Sequence, residues 1–245
     1  MFARCITKRV STQFCRSRLV CTFSNSAGNV KEAPVYRKYR TAPAWIADIR
    51  KHAQKDLFLK RSKMNHLLQD VVNKEELRES LDIMKIYEEK RIDLMTNAAA
   101  EFIKKAIQLD ECDLVIKAME EKYRFMLFLE PKMLAKLNIK LINDDRIQDV
   151  YKVHQIAKEH YEVKENRRLY ATLILAAVKE GDYDKALSFA KEAAENNKLS
   201  RVSCNLLLAR LQENQSSEQF SQALELMKEA GISFNETTNK IIARL

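Results

Sequence analysis

Apolar side chains recur at intervals of three or four over most of the chain, which is the spacing of one face of an α-helix. A first helix is predicted to begin at Thr41, a residue type that caps helices, with Pro43 in its first turn. Its apolar stripe recurs every four residues: Trp45, Ile49, Ala53 and Leu57. A short second helix follows, and Asn73 is spaced to cap a third helix together with Glu76.

From residue 97 onward the predicted helices come in pairs joined by short polar turns. Asp110 is predicted to cap the second helix of the first pair, and Pro131 begins the next pair. The helix after Pro131 carries residues that are expected in the core: Leu134, Leu137, Ile139 and Leu141. The pairs begin near residues 97, 132, 166, 201 and 235, a period of 34–35 residues.

This period indicates a stack of helical hairpins. One hairpin cannot bury its apolar face alone, whereas hairpins stacked side by side share a continuous core. We therefore predict an all-α fold, a right-handed α-solenoid of about four to five antiparallel helix pairs. Only three glycines and three prolines occur in 245 residues, which favours helices over sheets because sheets need many turn residues.

The best-formed unit spans residues 169–199. Its pattern is an aromatic residue, an apolar pair, a glycine turn and an Ala-Leu pair: Tyr170, Leu173, Ile174, Gly181, Ala186 and Leu187. This unit resembles the pentatricopeptide repeat. The stretch GDYDKAL also resembles a tetratricopeptide repeat, but Ile174 stands where that family has a small residue, and the closing proline is absent. The pentatricopeptide family is the favoured of the two, and both imply packing roles for these residues.

The first segment of the chain has the pattern of a mitochondrial transit peptide. Residues 1–24 carry five bases and no acid, and their apolar residues recur every four positions: Phe2, Ile6, Val10 and Phe14. We predict a transit peptide over residues 1–27, a basic extended arm over 28–43 and a helical-repeat array over 44–245. The expected location is the mitochondrial matrix, with no insertion into a membrane because no apolar run is long enough to span one.

The positive charge of the chain is concentrated near its N-terminus. Residues 25–67 carry ten bases and three acids, whereas the 178 residues after them carry 28 bases and 31 acids. Bases interleaved with aromatic residues suit contact with RNA phosphates and bases. The candidates for RNA contact in this segment are Arg37, Lys38, Tyr39, Arg40, Lys60, Arg61 and Lys63.

The repeats themselves are expected to contact proteins more than RNA. Pentatricopeptide arrays read one base per repeat with two or three polar side chains. Ala171 stands at one such position and cannot hydrogen-bond a base, whereas Asn205 with Asn235 is a plausible pair in the next repeat. A net charge of −3 over the body gives no overall excess of base for a track along phosphates.

No pattern in the sequence indicates catalysis, so we expect a non-enzyme without a metal or a cofactor. Three glycines are too few for a phosphate-binding loop, and His154 and His160 are spaced six apart, so they do not share a helix face. The five cysteines show no CxxC spacing, which is typical of neither a zinc site nor a disulfide framework: Cys5, Cys15, Cys21, Cys112 and Cys204.

The order of segments over roughly residues 45–160 resembles the pentatricopeptide-like proteins of the mitochondrial ribosomal small subunit. The matching segments are WIADIRKHAQ, NKEELRESLDIMKIYEEKR and AAAEFIKKAIQLDECDLVIKAMEEKYRFMLFLEP. This resemblance implies a structural component of that subunit, with rRNA and mitochondrial ribosomal proteins as partners. Two alternatives stay open: an organellar RNA-binding factor for transcript stability or processing, and a supernumerary scaffold subunit of a respiratory or ATP-synthase complex.

Overall fold

The structure, a computed structural model, describes residues 41–55 and 57–243. Over these residues the chain forms twelve α-helices and one short 3-10 helix, and it contains no β-strand there. The predicted all-α class is therefore confirmed. The predicted transit peptide over 1–27 and nearly all of the basic arm over 28–43 lie outside the described residues.

The helices follow one another with short connections. Their bounds are α1 Ala42–Gln54, α2 Arg61–Asp70, α3 Lys74–Glu89, α4 Ala98–Gln108, α5 Cys112–Glu120, α6 Pro131–Asn143, α7 Ile147–Glu159, α8 Arg167–Glu180, α9 Tyr183–Glu195, α10 Arg201–Glu213, α11 Ser217–Glu229 and α12 Glu236–Ile242. The 3-10 helix covers Arg124–Phe128, between α5 and α6. The sequence pattern predicts helices over about 166–180, 182–196, 201–213 and 218–230, and α8 to α11 begin and end within one residue of these bounds.

Helix contacts divide the helices into two alternating sets. We call α2, α4, α6, α8, α10 and α12 the A helices and the other six the B helices. Each A helix contacts the next A helix in the series, from α2 to α12. The B helices from α1 to α7 also contact each other in order, as do α9 and α11. Each A helix from α4 to α10 packs against the B helix that follows it.

The repeat period of the structure agrees with the period of the sequence pattern. The A helices from α4 onward begin at Ala98, Pro131, Arg167, Arg201 and Glu236, so successive starts are 33, 36, 34 and 35 residues apart. Their core is continuous because the buried apolar side chains of all twelve helices belong to one cluster. Burial of this shared face is the main force that stabilises such a stack.

Helices α8 and α9 show how one pair packs. Helix α8 presents large side chains to the core, and Tyr170, Leu173 and Ile174 are each at most 1% exposed. Helix α9 presents small side chains to the core, because its buried positions are all alanine: Ala186, Ala190 and Ala193. Small residues on one helix allow the large residues of the other to fill the space between the axes, as close packing requires. Leu187, on the flank of α9, is half-buried.

The turn after each of the A helices α4, α6, α8 and α10 has the same backbone geometry. Asp110, Asp145, Gly181 and Gln215 occupy equivalent places with φ of 57°, 59°, 84° and 57°. The next N–H donates to the carbonyl five residues before it in all four turns, as in Ser216 to Leu211 at 3.1 Å. Only one of the four is glycine, so the sequence of this turn varies while its conformation is kept.

The structure corrects three expectations from the sequence. Asp110 does not cap α5: it lies in the left-handed turn, and Glu111 is the N-cap residue. Leu57 does not continue the stripe of α1, because that helix ends at Gln54 and the Leu57 side chain is 50% exposed. Ile139 is not a core residue of α6, because it is 45% exposed on the surface of the A helices.

Candidate binding surface on the A helices

In three A helices, a lysine in the last turn contacts the turn that follows the preceding A helix. Lys105 donates to the carbonyl of Val71 at 2.6 Å, just after α2 ends. Lys140 pairs with Asp110 at 2.7 Å, and Lys179 pairs with Asp145 at 2.6 Å. Cations near a helix C-terminus interact favourably with its exposed carbonyls. These lysines therefore join neighbouring repeats and are not free to bind a ligand.

The B helices join neighbouring repeats through ion pairs between side chains. Arg78 of α3 donates to both carboxylate oxygens of Glu111, at 2.9 and 3.1 Å. Lys152 of α7 pairs with Glu120 of α5, and Lys158 of α7 pairs with Glu192 of α9 at 2.7 Å. Most partners lie 32–34 residues apart along the chain, which is one repeat. Most bases of the B helices are therefore paired within the protein.

Charge divides sharply between the two sets of helices. The six A helices carry 13 lysines and arginines against 5 aspartates and glutamates, a net charge of +8. The six B helices carry 11 bases against 17 acids, a net charge of −6. The prediction that the repeats offer no positive track for RNA rested on their total charge, and it stays a prediction. The net charge of the two sets together is close to zero, because the surplus of bases on the A helices nearly cancels the surplus of acids on the B helices.

An open groove of about 390 Å³ crosses the A helices α6, α8 and α10. Its floor is apolar and comes from all three helices: Ala135, Ile139, Ala171, Leu175, Val202 and Leu206. Val202 is 79% exposed and Ile139 is 45% exposed, so two large apolar side chains of the groove face solvent. The predicted base-reading position Ala171 belongs to this floor.

Three cations line the groove, and we call them its rim: Lys132, Lys136 and Arg168. The structure gives none of their side chains an ion pair or hydrogen bond within the described residues. No aspartate or glutamate of the described part of the chain lines the groove, and α6 contains no acid. In contrast, Lys105, Lys140 and Lys179 in the last helical turns are bound to residues of the preceding repeat. The rim therefore creates a positive electrostatic potential beside the apolar floor of the groove.

The predicted RNA-contact residues of the N-terminal region divide into two groups. Arg37, Lys38, Tyr39 and Arg40 lie outside the described residues. Lys60 and Arg61 are exposed at the start of α2. Lys63 is different, because its ammonium lies 2.7 Å from the carboxylate of Asp48 and its side chain is only 15% exposed. RNA contact by Lys60 and Arg61 stays a prediction, while Lys63 already has a role in joining α1 to α2.

Asn205 and Asn235 lie together, as the sequence predicted, but they bond to each other. The Asn205 amide donates to the Asn235 side chain at 3.3 Å, and the Thr238 hydroxyl donates to Asn205 at 2.8 Å. Asn235 also caps α12 by accepting from the backbone N–H of Thr238. These hydrogen bonds connect α12 to α10. Asn205 would therefore have to break them before its side chain could hydrogen-bond an RNA base.

A polar cluster lies between α7 and α8, and the sequence analysis did not find it. His154 is buried, and its Nε2 lies 3.3 Å from a carboxylate oxygen of Glu165. The hydroxyl of Tyr170 donates to Glu165 and accepts from Asn196. Burial lowers the pKa of His154, and this effect exceeds the opposite effect of Glu165. The cluster holds the linker before α8 in place.

The two described cysteines and the possible metal-binding side chains were the other candidates for chemistry. Burial raises the pKa of Cys112, and it raises the pKa of Cys204 to about 11, so both thiols stay protonated at neutral pH. No three side chains of His, Cys, Asp or Glu within residues 41–55 and 57–243 lie close enough to hold a metal ion. None of the described helices is both long and apolar enough to cross a bilayer.

Comparison with known proteins does not assign this chain to a family. No protein-family profile matches it, and no curated protein sequence resembles it at a significant level. The resemblance to pentatricopeptide-like proteins stays a prediction from the sequence pattern.

Proposed function

We propose that this chain is a non-catalytic structural component of the mitochondrial ribosomal small subunit. The separation of charge between the two sets of helices carries this proposal. A protein that lies between RNA and other proteins needs a positive surface for phosphates and a different surface for its protein neighbours. The +8 of the A helices and the −6 of the B helices supply these two surfaces.

The architecture that we propose is a right-handed α-solenoid. Its support is the contact of each A helix with the next and the repeat spacing of 33–36 residues. Such stacks present long surfaces because every repeat contacts only its neighbours. In this proposal rRNA contacts the basic N-terminal arm together with Lys60 and Arg61, and basic ribosomal proteins contact the acidic B helices.

The proposal is tested by sedimentation of mitochondrial lysate that contains the tagged full-length chain. We expect the chain to sediment with the small subunit and to leave that position after RNase treatment, since rRNA contributes to its binding. The variant Lys60→Glu/Arg61→Glu reverses two exposed charges and is expected to shift a larger fraction to the top of the gradient. Lys164→Glu/Lys198→Glu is the matched control, because both lysines are exposed in connections that lie outside the A and B helices.

One result contradicts the ribosomal proposal directly. If the unmodified chain stays at the top of the gradient while ribosomes remain intact, it is not a ribosomal component. Co-migration with a respiratory or ATP-synthase complex in a native gel would then favour a scaffold subunit of that complex.

A second candidate function is that of a free organellar RNA-binding factor, favoured by the surplus of bases on the A helices. It predicts sequence-selective binding of single-stranded RNA by the purified chain, which weakens as salt rises because counterions are released. Asn205→Ala is expected to reduce the selectivity. Binding that is equal for all RNA sequences would contradict this candidate.

A further inference from the structure

The groove across α6, α8 and α10 combines exposed apolar side chains with cations. Val202 and Ile139 expose large apolar side chains, and Leu175 and Leu206 are half-buried beside them. The cations Lys132, Lys136 and Arg168 stand along one rim. A contiguous apolar surface with a polar rim is the usual composition of a site that binds another protein.

The dimensions of the groove suit a short helix. Packed helices lie about 8–10 Å apart, so three neighbouring A helices span about 16–20 Å. A helix rises about 1.5 Å per residue, so a segment of roughly 11–13 residues covers that length. Such a segment presents one apolar side chain per turn on the face toward the groove, at positions i, i+3 or i+4 and i+7.

We propose that this groove binds an acidic amphipathic helix of a partner protein. The apolar face of that helix covers Val202, Ile139 and Leu206, and its acidic side chains meet the free cations of the rim. Charge complementarity selects an acidic occupant, because the groove has three cations and no acid. This proposal does not depend on the ribosomal function, since any complex can supply such a helix.

Other occupants fit the groove less well. Residues 1–40 of the same chain carry nine bases and one acid, so the rim repels them. Single-stranded RNA binds by stacking its bases on aromatic or guanidinium groups and by bonding to polar side chains. Among the described residues the groove has no aromatic side chain and a single guanidinium, that of Arg168. Its two hydroxyls are already bonded, Thr172 to the Leu169 carbonyl at 2.7 Å and Ser203 to Ser200 at 2.7 Å.

The test uses the full-length purified chain and a labelled 14-residue helical peptide with Leu and Ile on one face and Glu on the other. Fluorescence anisotropy measures binding of this peptide and of a scrambled peptide with the same composition and charge. We expect the amphipathic peptide to bind at least about fivefold more tightly, since only it can place its apolar residues in the groove. Equal binding of both peptides would mean that charge alone attracts them, and this would overturn the proposal.

Two variants locate the binding site. Lys132→Glu/Lys136→Glu reverses the rim, and Val202→Asp places a charge on the floor. Each is expected to weaken peptide binding at least about fivefold. The controls are Lys191→Glu/Lys228→Glu, with the same change of charge on the B helices, and Val72→Asp, at a valine that is 73% exposed outside the groove. All four replace exposed side chains, and circular dichroism checks that the variants keep their helix content.

Two further measurements address the other occupants. If an oligouridylate of 15 nucleotides binds and loses affinity in the rim variant while the peptide does not, the site is for nucleic acid and the proposal fails. If sedimentation equilibrium shows a dimer that Val202→Asp converts to a monomer, a second copy of the chain occupies the groove, and this also overturns the proposal. A monomer whose peptide binding is lost in both groove variants and kept in both controls supports it.

Discussion

The A helices and the B helices are built on the same apolar spacing, yet they use their charged residues differently. On the B helices, cations such as Arg78, Lys152 and Lys158 pair with acids one repeat away. On the A helices, Lys105, Lys140 and Lys179 are bound to the preceding turn, while Lys132, Lys136 and Arg168 have no partner among residues 41–55 and 57–243. Paired charges therefore link neighbouring repeats, and the unpaired cations of the A helices mark a surface that can bind a partner.

The largest difference that we expect between the two sets lies in the core of the pair α8–α9. Leu173 on the A helix is fully buried, whereas Leu187 on the B helix is half-buried. Leu173→Ala should lower the free energy of unfolding by about 3 kcal/mol, because it removes buried methyl groups and leaves a cavity. Leu187→Ala should cost about 1 kcal/mol. Urea denaturation measures both, and equal losses would contradict the assignment of the large side chains of α8 to the core.

A buried hydrogen bond between two A helices has no counterpart among the B helices that the structure describes. The Asn138 amide of α6 donates to the Thr172 hydroxyl of α8 at 3.1 Å, and both residues are buried. Thr172→Val should cost about 1–3 kcal/mol, because it keeps the shape but leaves the amide without this acceptor. Thr172→Ser retains the hydroxyl and should cost less. If valine is tolerated as well as serine in urea denaturation, the bond contributes nothing.

The turns between A and B helices offer a pair of substitutions with opposite signs. Gly181 has a φ of 84°, and a Cβ there meets no atom within 4 Å, so any cost is conformational. Gly181→Ala should destabilise the fold by about 1 kcal/mol. Gln215 has a φ of 57° at the equivalent turn after α10, so Gln215→Gly should stabilise it by about 0.5–1 kcal/mol. Thermal denaturation measures both, and two shifts of the same sign would contradict this reasoning.

The smallest expected effect is a pH dependence of the free energy of unfolding that arises at His154 of the B helix α7. Burial holds the pKa of His154 below its usual value, and its charged neighbours are Glu165, Lys158 and Glu192. The unfolded chain takes up a proton near pH 6.5 that the folded chain resists. The contribution of His154 is therefore favourable above that pH and is lost as the pH falls through it.

The measurement is urea denaturation at pH 7.5 and at pH 5.5. We expect the unmodified chain to lose more stability over this interval than His154→Gln, which cannot titrate. His160→Gln is the control, because that histidine is exposed at the end of α7. If His154→Gln shows the same loss as the unmodified chain, the folded state does not exclude the proton from His154.

Much of the fold follows from the sequence alone. Apolar residues spaced three or four apart define which face of each helix is buried, and the helix-capping residues and the turns define where helices begin and end. For this reason the repeat period and the bounds of α8 to α11 were predicted closely. Predictions failed where two local signals competed. Asp110 has the chemistry of an N-cap, but it occupies the left-handed turn that an aspartate also tolerates.

The candidate site, in contrast, was decided by the tertiary structure. The sequence distinguishes inward from outward positions on a helix, but it does not say which outward residues meet a neighbour one repeat away. Asn205 and Asn235 were predicted as a pair, yet only the fold shows that they bond to each other and to α12. Lys140 and Lys136 lie on the same helix, yet Lys140 pairs with Asp110 and Asp144 while Lys136 has no partner among the described residues.

The net charge shows most clearly the difference between what the sequence determines and what the tertiary structure determines. The sequence by itself determined that the body of the chain carries nearly balanced bases and acids, and that it forms paired helices with a period near 34–35 residues. Only the packing of alternate helices decided that the base-rich A helices contact one another in series. The physical reason is that charges sum along the chain without regard to position, whereas a binding partner meets only the charges that share a surface.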